Sequence, residues 1–215
     1  MILELFAIRA VASIQLSSIL EGNAIIIINC KRNLLIAWFG AFYTAATLSL
    51  VMPFMPLYVE KLGVRGSAVE IFAVLSVAVS ALASGLVAPL WGKLADQKGR
   101  RVMMVRASVV MTFTMGALAF VPNVWWLLVM RLLNGLFAGY IPNSTALIAS
   151  QVPREKSGYA LGTLSTGMVA GVLIGPSIGG FLAQAVGMEN VFLITGAVLL
   201  LVTLLTIFFV KEDFT

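Results

Sequence analysis

Residues 125–150 read WWLLVMRLLNGLFAGYIPNSTALIAS, a run of 26 positions whose single charge is Arg131. A helix that crosses the hydrocarbon core of a bilayer needs about 20 predominantly apolar residues at 1.5 Å rise each, so this stretch is long enough to span. Five more runs of the same kind occupy residues 34–59, 69–91, 102–121, 158–186 and 191–210, each bounded by charge, Gly or Pro. A soluble helical bundle would need a polar face on every helix, and none of the six has one. The pattern predicts an all-α membrane protein with six transmembrane helices.

Composition points the same way. Of 215 residues, 60% are hydrophobic and 11% charged, against about 25% charged in a soluble domain; mean hydropathy is +1.04. The 14 Lys and Arg against 9 Asp and Glu give a net charge of +5. These charges sit in short gaps between apolar runs and form no solvated basic patch, so nucleic acid is not an expected partner. With no His and one Cys, Cys30, the chain cannot build a His-based catalytic triad, a His/Cys zinc site or an internal disulfide. No enzyme, metal or cofactor is expected.

Orientation follows from the gaps, because Lys and Arg near span ends are retained in the cytoplasm. Lys31, Arg32, Lys93, Lys98, Arg100, Arg101, Arg106, Arg154, Lys156 and Lys211 fall on one side, and only Lys61 and Arg65 on the other. Both ends of the six-span unit are therefore expected in the cytoplasm, with Tyr58, Trp125 and Trp126 at lipid interfaces. Residues 31–215 form the expected bundle. Residues 1–30 form a leader of uncertain status: residues 5–20 are moderately apolar but interrupted by Arg9, Gln15, Ser17 and Ser18. A signal peptide, an unstructured or interfacial leader and a misplaced start all remain open. The sixth run is followed only by five residues, 211–215, which suggests a half-length chain.

Four local patterns stand out. The gap after the second run reads Gly92-Lys-Leu-Ala-Asp96-Gln-Lys-Gly99-Arg100-Arg101, read as a tight turn in which Asp96 either pairs locally or accepts hydrogen bonds from a neighbouring helix start. The plain alternative is a basic anchor. Arg131 lies about six residues, roughly 9 Å, past Trp125 at helical rise. An embedded charge usually faces a bundle interior or a wet cavity, although a long side chain can also snorkel to the interface. On its face at steps of three and four lie Asn134, Gly135, Ala138, Pro142 and Thr145. In the fifth run Gly167, Gly171, Gly175 and Gly179 recur every four residues beside Pro176 and Gly180. Such a ladder implies close approach by another helix, either as a static packing face or as a functional interface. Pro53 and Pro56 close the first run, after a mild polar face of Gly40, Thr44 and Thr47.

Together these patterns resemble the major facilitator superfamily, and within it the twelve-span drug:proton antiporters of bacterial multidrug efflux. Residues 92–101 resemble the loop signature G-x-x-x-D-R-x-G-R-R, with Gln97 in place of an Arg. Arg131-Leu-Leu-Asn134-Gly135 is similar to the fourth-helix signature R-x-x-Q-G, with Asn134 in the Gln place. The glycine ladder with Pro176, Gly179 and Gly180 is similar to the fifth-helix antiporter signature, and Pro53 and Pro56 to a first-helix proline motif. The resemblance covers residues 31–215 and implies a three-plus-three inverted-repeat bundle, one half of an alternating-access transporter. It further implies proton coupling through Arg131, a cytoplasmic latch of Gly92, Asp96, Gly99, Arg100 and Arg101, and a leak-limiting interface at the fifth-helix glycines.

The implied activity is proton-driven efflux of amphipathic drug-like compounds across a bacterial inner membrane. Its partners are the small-molecule substrate, protons, lipid and a second six-helix half, with the proton gradient as the energy source. Tyr43, Thr44, Thr47, Asn134, Gly135 and Ala138 are the expected lining of a substrate path. No Asp or Glu lies deep in any run, so the proton-carrying carboxylate belongs to the second half or reaches inward from a position such as Glu70. Export of a metabolite such as a sugar or amino acid, and a non-transporting membrane remnant or scaffold, remain as alternatives.

Overall fold

A computed structural model describes residues 30–212. All six expected spans are helices long and apolar enough to cross a membrane: α1 Cys30–Lys61, α2 Ala68–Lys98, α3 Arg100–Leu118, α4 Val124–Gln151, α5 Arg154–Val186 and α6 Met188–Phe209. The leader expected over residues 1–30 lies, apart from Cys30, outside the described residues.

Two local readings are corrected. The stretch from Gly92 was read as a tight turn, but α2 stays helical through Lys98. Lys, Leu, Ala and Gln are good helix formers, and a helix need not end where the bilayer does. Gly99 alone makes the turn, at φ 90° and ψ 148°, a conformation that an L side chain rarely adopts. The run 125–150 was read as continuous, but α4 is broken into Val124–Leu136 and Tyr140–Gln151. Gly139 takes φ 138° in the gap. Asn123 caps the first half, its Oδ1 accepting from the Trp126 backbone N–H at 3.1 Å. In α1 the two prolines tighten the chain to a 3₁₀ turn over Met52–Phe54 before the helix resumes at Met55–Lys61.

The spans recur in kind three apart. α1 and α4 are the interrupted pair. α2 and α5 are the long pair, at 31 and 33 residues, each with only 17% of its most apolar window buried. α3 and α6 are shorter, at 19 and 22 residues, and each is 44% buried by the same measure. This correspondence accords with a three-plus-three repeat. Away from their ends, the exposed positions on the long pair are mostly apolar, as at Leu86 and Phe181, so these helices present surface suited to lipid or to another bundle rather than to water.

A core of Leu50, Met55, Val59, Met111, Met115, Leu118, Leu127 and Phe192 holds the end of the bundle where Lys61 lies. There the Tyr58 hydroxyl donates to the Leu118 carbonyl, and Lys61 Nζ meets Glu189 Oε1 at 2.8 Å. At the opposite end, Asn33 Nδ2 donates to Gln151 Oε1 (2.9 Å) and to Lys211 O (2.6 Å), while Lys211 N–H returns to Asn33 Oδ1 (3.1 Å). The segment leaving α6 is thereby bound to the ends of α1 and α4.

Candidate functional site

Arg131 lies in the first half of α4 and is only 4% exposed. Its guanidinium does not snorkel to the surface of the bundle. It borders a cavity of about 250 Å³ between α1, α2 and α4, lined among others by Val51, Ser80, Ser84, Asn134 and Ala138. Arg131 Nε and Nη2 are buried without a hydrogen-bond partner among the described residues. Among the described residues no carboxylate lines this cavity. A buried guanidinium left unsatisfied costs several kcal/mol, on the order of a lost charged hydrogen bond or more, unless an anion, water or polar ligand meets it.

The polar positions expected to form one path are divided by the packing. Asn134 and Ala138 share the Arg131 cavity, and Asn134 Nδ2 also donates to Thr114 Oγ1 of α3 at 3.0 Å. Gly135 is buried where α4 and α2 press together: a Cβ there would run into the backbone of Ser80. Tyr43 and Thr47 face a separate crevice of about 90 Å³ with Gly175 and Thr195. Thr44 is buried, and Gly40 leaves room for the ring of Tyr140, whose hydroxyl lies 3.2 Å from Thr206 Oγ1. Helical spacing put these residues on suitable faces but could not say which neighbour each face would meet.

The glycine ladder of α5 meets α1 rung by rung. A Cβ on Gly167 would lie 2.9 Å from Trp38 O, one on Gly171 would run into Phe42 O, one on Gly175 would lie 2.7 Å from Ala46 O, and one on Gly179 would strike the side chain of Leu50. The four partners are themselves spaced by four, so two helices run in register with their backbones nearly touching. The close approach inferred from spacing is thus made within the same bundle. Gly180 is different, with ordinary clearance of 3.5 Å to Phe54. Trp38 Nε1 adds a hydrogen bond to Thr166 Oγ1 at 3.0 Å.

At the Gly99 end, Asp96 pairs locally, its Oδ1 accepting from Arg100 Nη2 at 3.1 Å. It is not Asp96 that caps the adjacent helix start. Glu212 does so, its two carboxylate oxygens accepting the backbone N–H of Arg100 (2.9 Å) and of Arg101 (2.7 Å). Arg101 in turn donates to Ile207 O of α6. Glu212 was missed in the sequence because a single acid past a span carries no periodic signal; an anion at a helix N-terminus is nevertheless where the dipole favours one. Asp96, Arg100 and Gly92 border a crevice of about 310 Å³ that shares Ser84 and Ala138 with the Arg131 cavity.

The family model described as Major Facilitator Superfamily matches residues 37–215. The chain belongs to this superfamily. It is 66% identical over 187 residues to the multi-drug resistance efflux pump PmrA homolog of Lactococcus lactis, covering 87% of this chain and 46% of that protein. It is 61% identical to the multi-drug resistance efflux pump PmrA of Streptococcus pneumoniae (87% and 47% covered) and 52% identical to the multidrug resistance protein MdtG of Citrobacter koseri (87% and 46%). The chain spans about half the length of these relatives. In fold it is similar to the crystal structure of the human organic anion transporter MFSD10, with a TM-score of 0.70 at 20% identity over 85% of this chain and 48% of that one. This superfamily member is a multi-pass membrane protein.

Proposed function

We propose that this bundle is one half of a proton-coupled exporter of amphipathic, drug-like compounds that works by alternating access with a second six-helix bundle. The observation that carries the proposal is Arg131, enclosed and incompletely partnered in a cavity between α1, α2 and α4. An embedded cation of this kind marks an ion or substrate path, and in this reading a carboxylate of the second bundle supplies the missing charge and carries the proton. The poorly buried apolar faces of α2 and α5 are the surfaces against which that bundle packs. The likeness to multidrug efflux pumps supports the choice of cargo. Asp96 and Arg100 form the latch at the cytoplasmic rim, Tyr43 and Thr47 border a second crevice between α1, α5 and α6, and the glycine ladder keeps the half rigid against leak.

In this reading the Gly99 end of the bundle faces the cytoplasm of a bacterial cell, which the ten-to-two distribution of Lys and Arg supports. The test is export of a fluorescent amphipathic dye from energised membrane vesicles carrying this bundle joined to a second half. Efflux that stops when the proton gradient is collapsed is the expected result. Efflux insensitive to that collapse removes proton coupling, and absence of dye export with retained export of a sugar or amino acid reassigns the cargo.

A further inference from the structure

The break in α4 exposes backbone carbonyls inside the bundle, and each is met by a donor from a different helix. Trp91 of α2 donates its indole N–H to Leu136 O at 2.7 Å. Arg106 of α3 donates Nη2–H to Ala138 O at 3.2 Å and to Phe137 O at 3.4 Å. Ala138 O is the acceptor that residue 142 would serve in a continuous helix, and Pro142 has no N–H to give. The two donors are themselves joined, with Arg106 Cζ 3.4 Å from the centroid of the Trp91 ring and 5.9 Å from that of Phe137. A guanidinium over an indole face is held most strongly where water is excluded. Arg106 Nε and Nη1 are buried without a hydrogen-bond partner among the described residues, so the ring and the two carbonyls hold the cation in place of a carboxylate.

The position of this arrangement gives it a consequence. Ala138, whose carbonyl Arg106 holds, lines both the Arg131 cavity and the crevice containing Asp96 and Arg100. The broken segment therefore stands where the two spaces meet. Gly139, at φ 138°, permits the break, but a glycine is equally able to adopt helical angles and selects neither form by itself. Charge-assisted hydrogen bonds onto free carbonyls, joined to the ring contact, favour the broken form over one in which Tyr140–Gln151 continues the line of Val124–Leu136.

We propose that Arg106 and Trp91 act as one clamp that holds α4 broken at residues 137–139 and so sets the opening between the Arg131 cavity and the Asp96–Arg100 crevice. Both are positioning residues. The inference concerns the geometry of the bundle and does not depend on cargo or on proton coupling. The test uses the 215-residue chain in lipid nanodiscs, which leave both faces open to reagents, in a Cys30→Ser background. Spin labels at Val129→Cys and Ala149→Cys, exposed on the two halves of α4, report the distance across the break.

Arg106→Gln is expected to shift or broaden that distance distribution and to change the alkylation rate of a cysteine at Ser80→Cys by about tenfold, as a population shift of that size requires. Arg106→Lys, which keeps the charge and a donor, recovers part of both. A control pair at Leu57→Cys and Leu193→Cys, at the far end of the bundle, should not move. If it does, Trp91→Phe decides, since it keeps a ring and removes only the N–H donor. Unchanged distance and alkylation in Arg106→Gln, or in Trp91→Phe where the control pair has moved, overturns the clamp and leaves the break to Gly139 and Pro142.

Discussion

The Ser49 hydroxyl of α1 donates to Val172 O of α5 at 2.8 Å, and Val172 O is the carbonyl that Pro176, lying inside α5, leaves without its helical N–H. A proline in a membrane helix is tolerated when a neighbour satisfies the freed carbonyl, and here the neighbour is the helix that the glycine ladder brings within reach. Pro176 and the ladder are thus parts of one contact.

Replacing Ser49 with Ala should destabilise the bundle by about 1–2 kcal/mol, the cost of an unsatisfied carbonyl away from water. In Pro176→Ala the helix supplies its own donor, so Ser49→Ala should then cost much less. Thermal unfolding in mild detergent of the two single variants and the double variant measures the coupling, and strict additivity would show that the hydroxyl is not serving the proline's carbonyl.

Glycines of α5 should divide sharply. Gly171→Ala and Gly175→Ala place a methyl against backbone of α1 and should cost about 1–3 kcal/mol as overpacking. Gly158 and Gly162 have nothing within 4 Å of an added Cβ, so Ala there should be neutral or stabilise by up to about 1 kcal/mol through helix propensity. Comparable losses at all four sites in a detergent melting series would contradict the α1–α5 register.

Arg131→Leu should separate stability from activity. Removing a buried charge that lacks full hydrogen bonding should raise the stability of the isolated bundle, by about 1–3 kcal/mol. In the bundle joined to its second half, the same change should abolish gradient-driven dye export. A fall in stability would mean that the guanidinium is already well satisfied, and intact export would remove Arg131 from the coupling path.

Glu212 and Asp96, both near Arg100, should differ in kind. Glu212→Ala uncovers two backbone N–H groups at the start of α3 and should cost about 1–2 kcal/mol. Asp96→Asn breaks an exposed ion pair, so stability should change by no more than about 1 kcal/mol; an effect on transport with stability intact is the signature expected of a latch. Unfolding and dye export measured on the same preparations distinguish the two. Equal destabilisation by both changes would mean that Asp96, too, holds the fold.

How much was readable from the chain varies residue by residue. The six spans follow from hydrophobic length, because bilayer thickness imposes the same requirement on each segment independently of its neighbours. That α5 must be approached closely also follows, since glycine at every fourth position leaves one face bare. Which helix does so is not a property of α5, and only the packing shows Trp38, Phe42, Ala46 and Leu50 on the other side. Arg106 counts among the cytoplasmic-end charges by position, in the first turns of α3, yet its guanidinium reaches across to Trp91 of α2 and to the break in α4, because a long side chain works beyond the point where its backbone stands.

The linear pattern of apolar and charged residues therefore determined the number of crossings, the presence of Arg131 well inside one of them and the face of α5 that lies bare, all of which depend on local composition and helical periodicity. The tertiary structure decided that α4 breaks, that Glu212 rather than Asp96 caps α3, and that Tyr43 and Thr47 part from Asn134 and Ala138. Each of these depends on donors and surfaces brought from distant parts of the chain, and the free energy of a buried carbonyl or guanidinium is set by the groups that reach it in space.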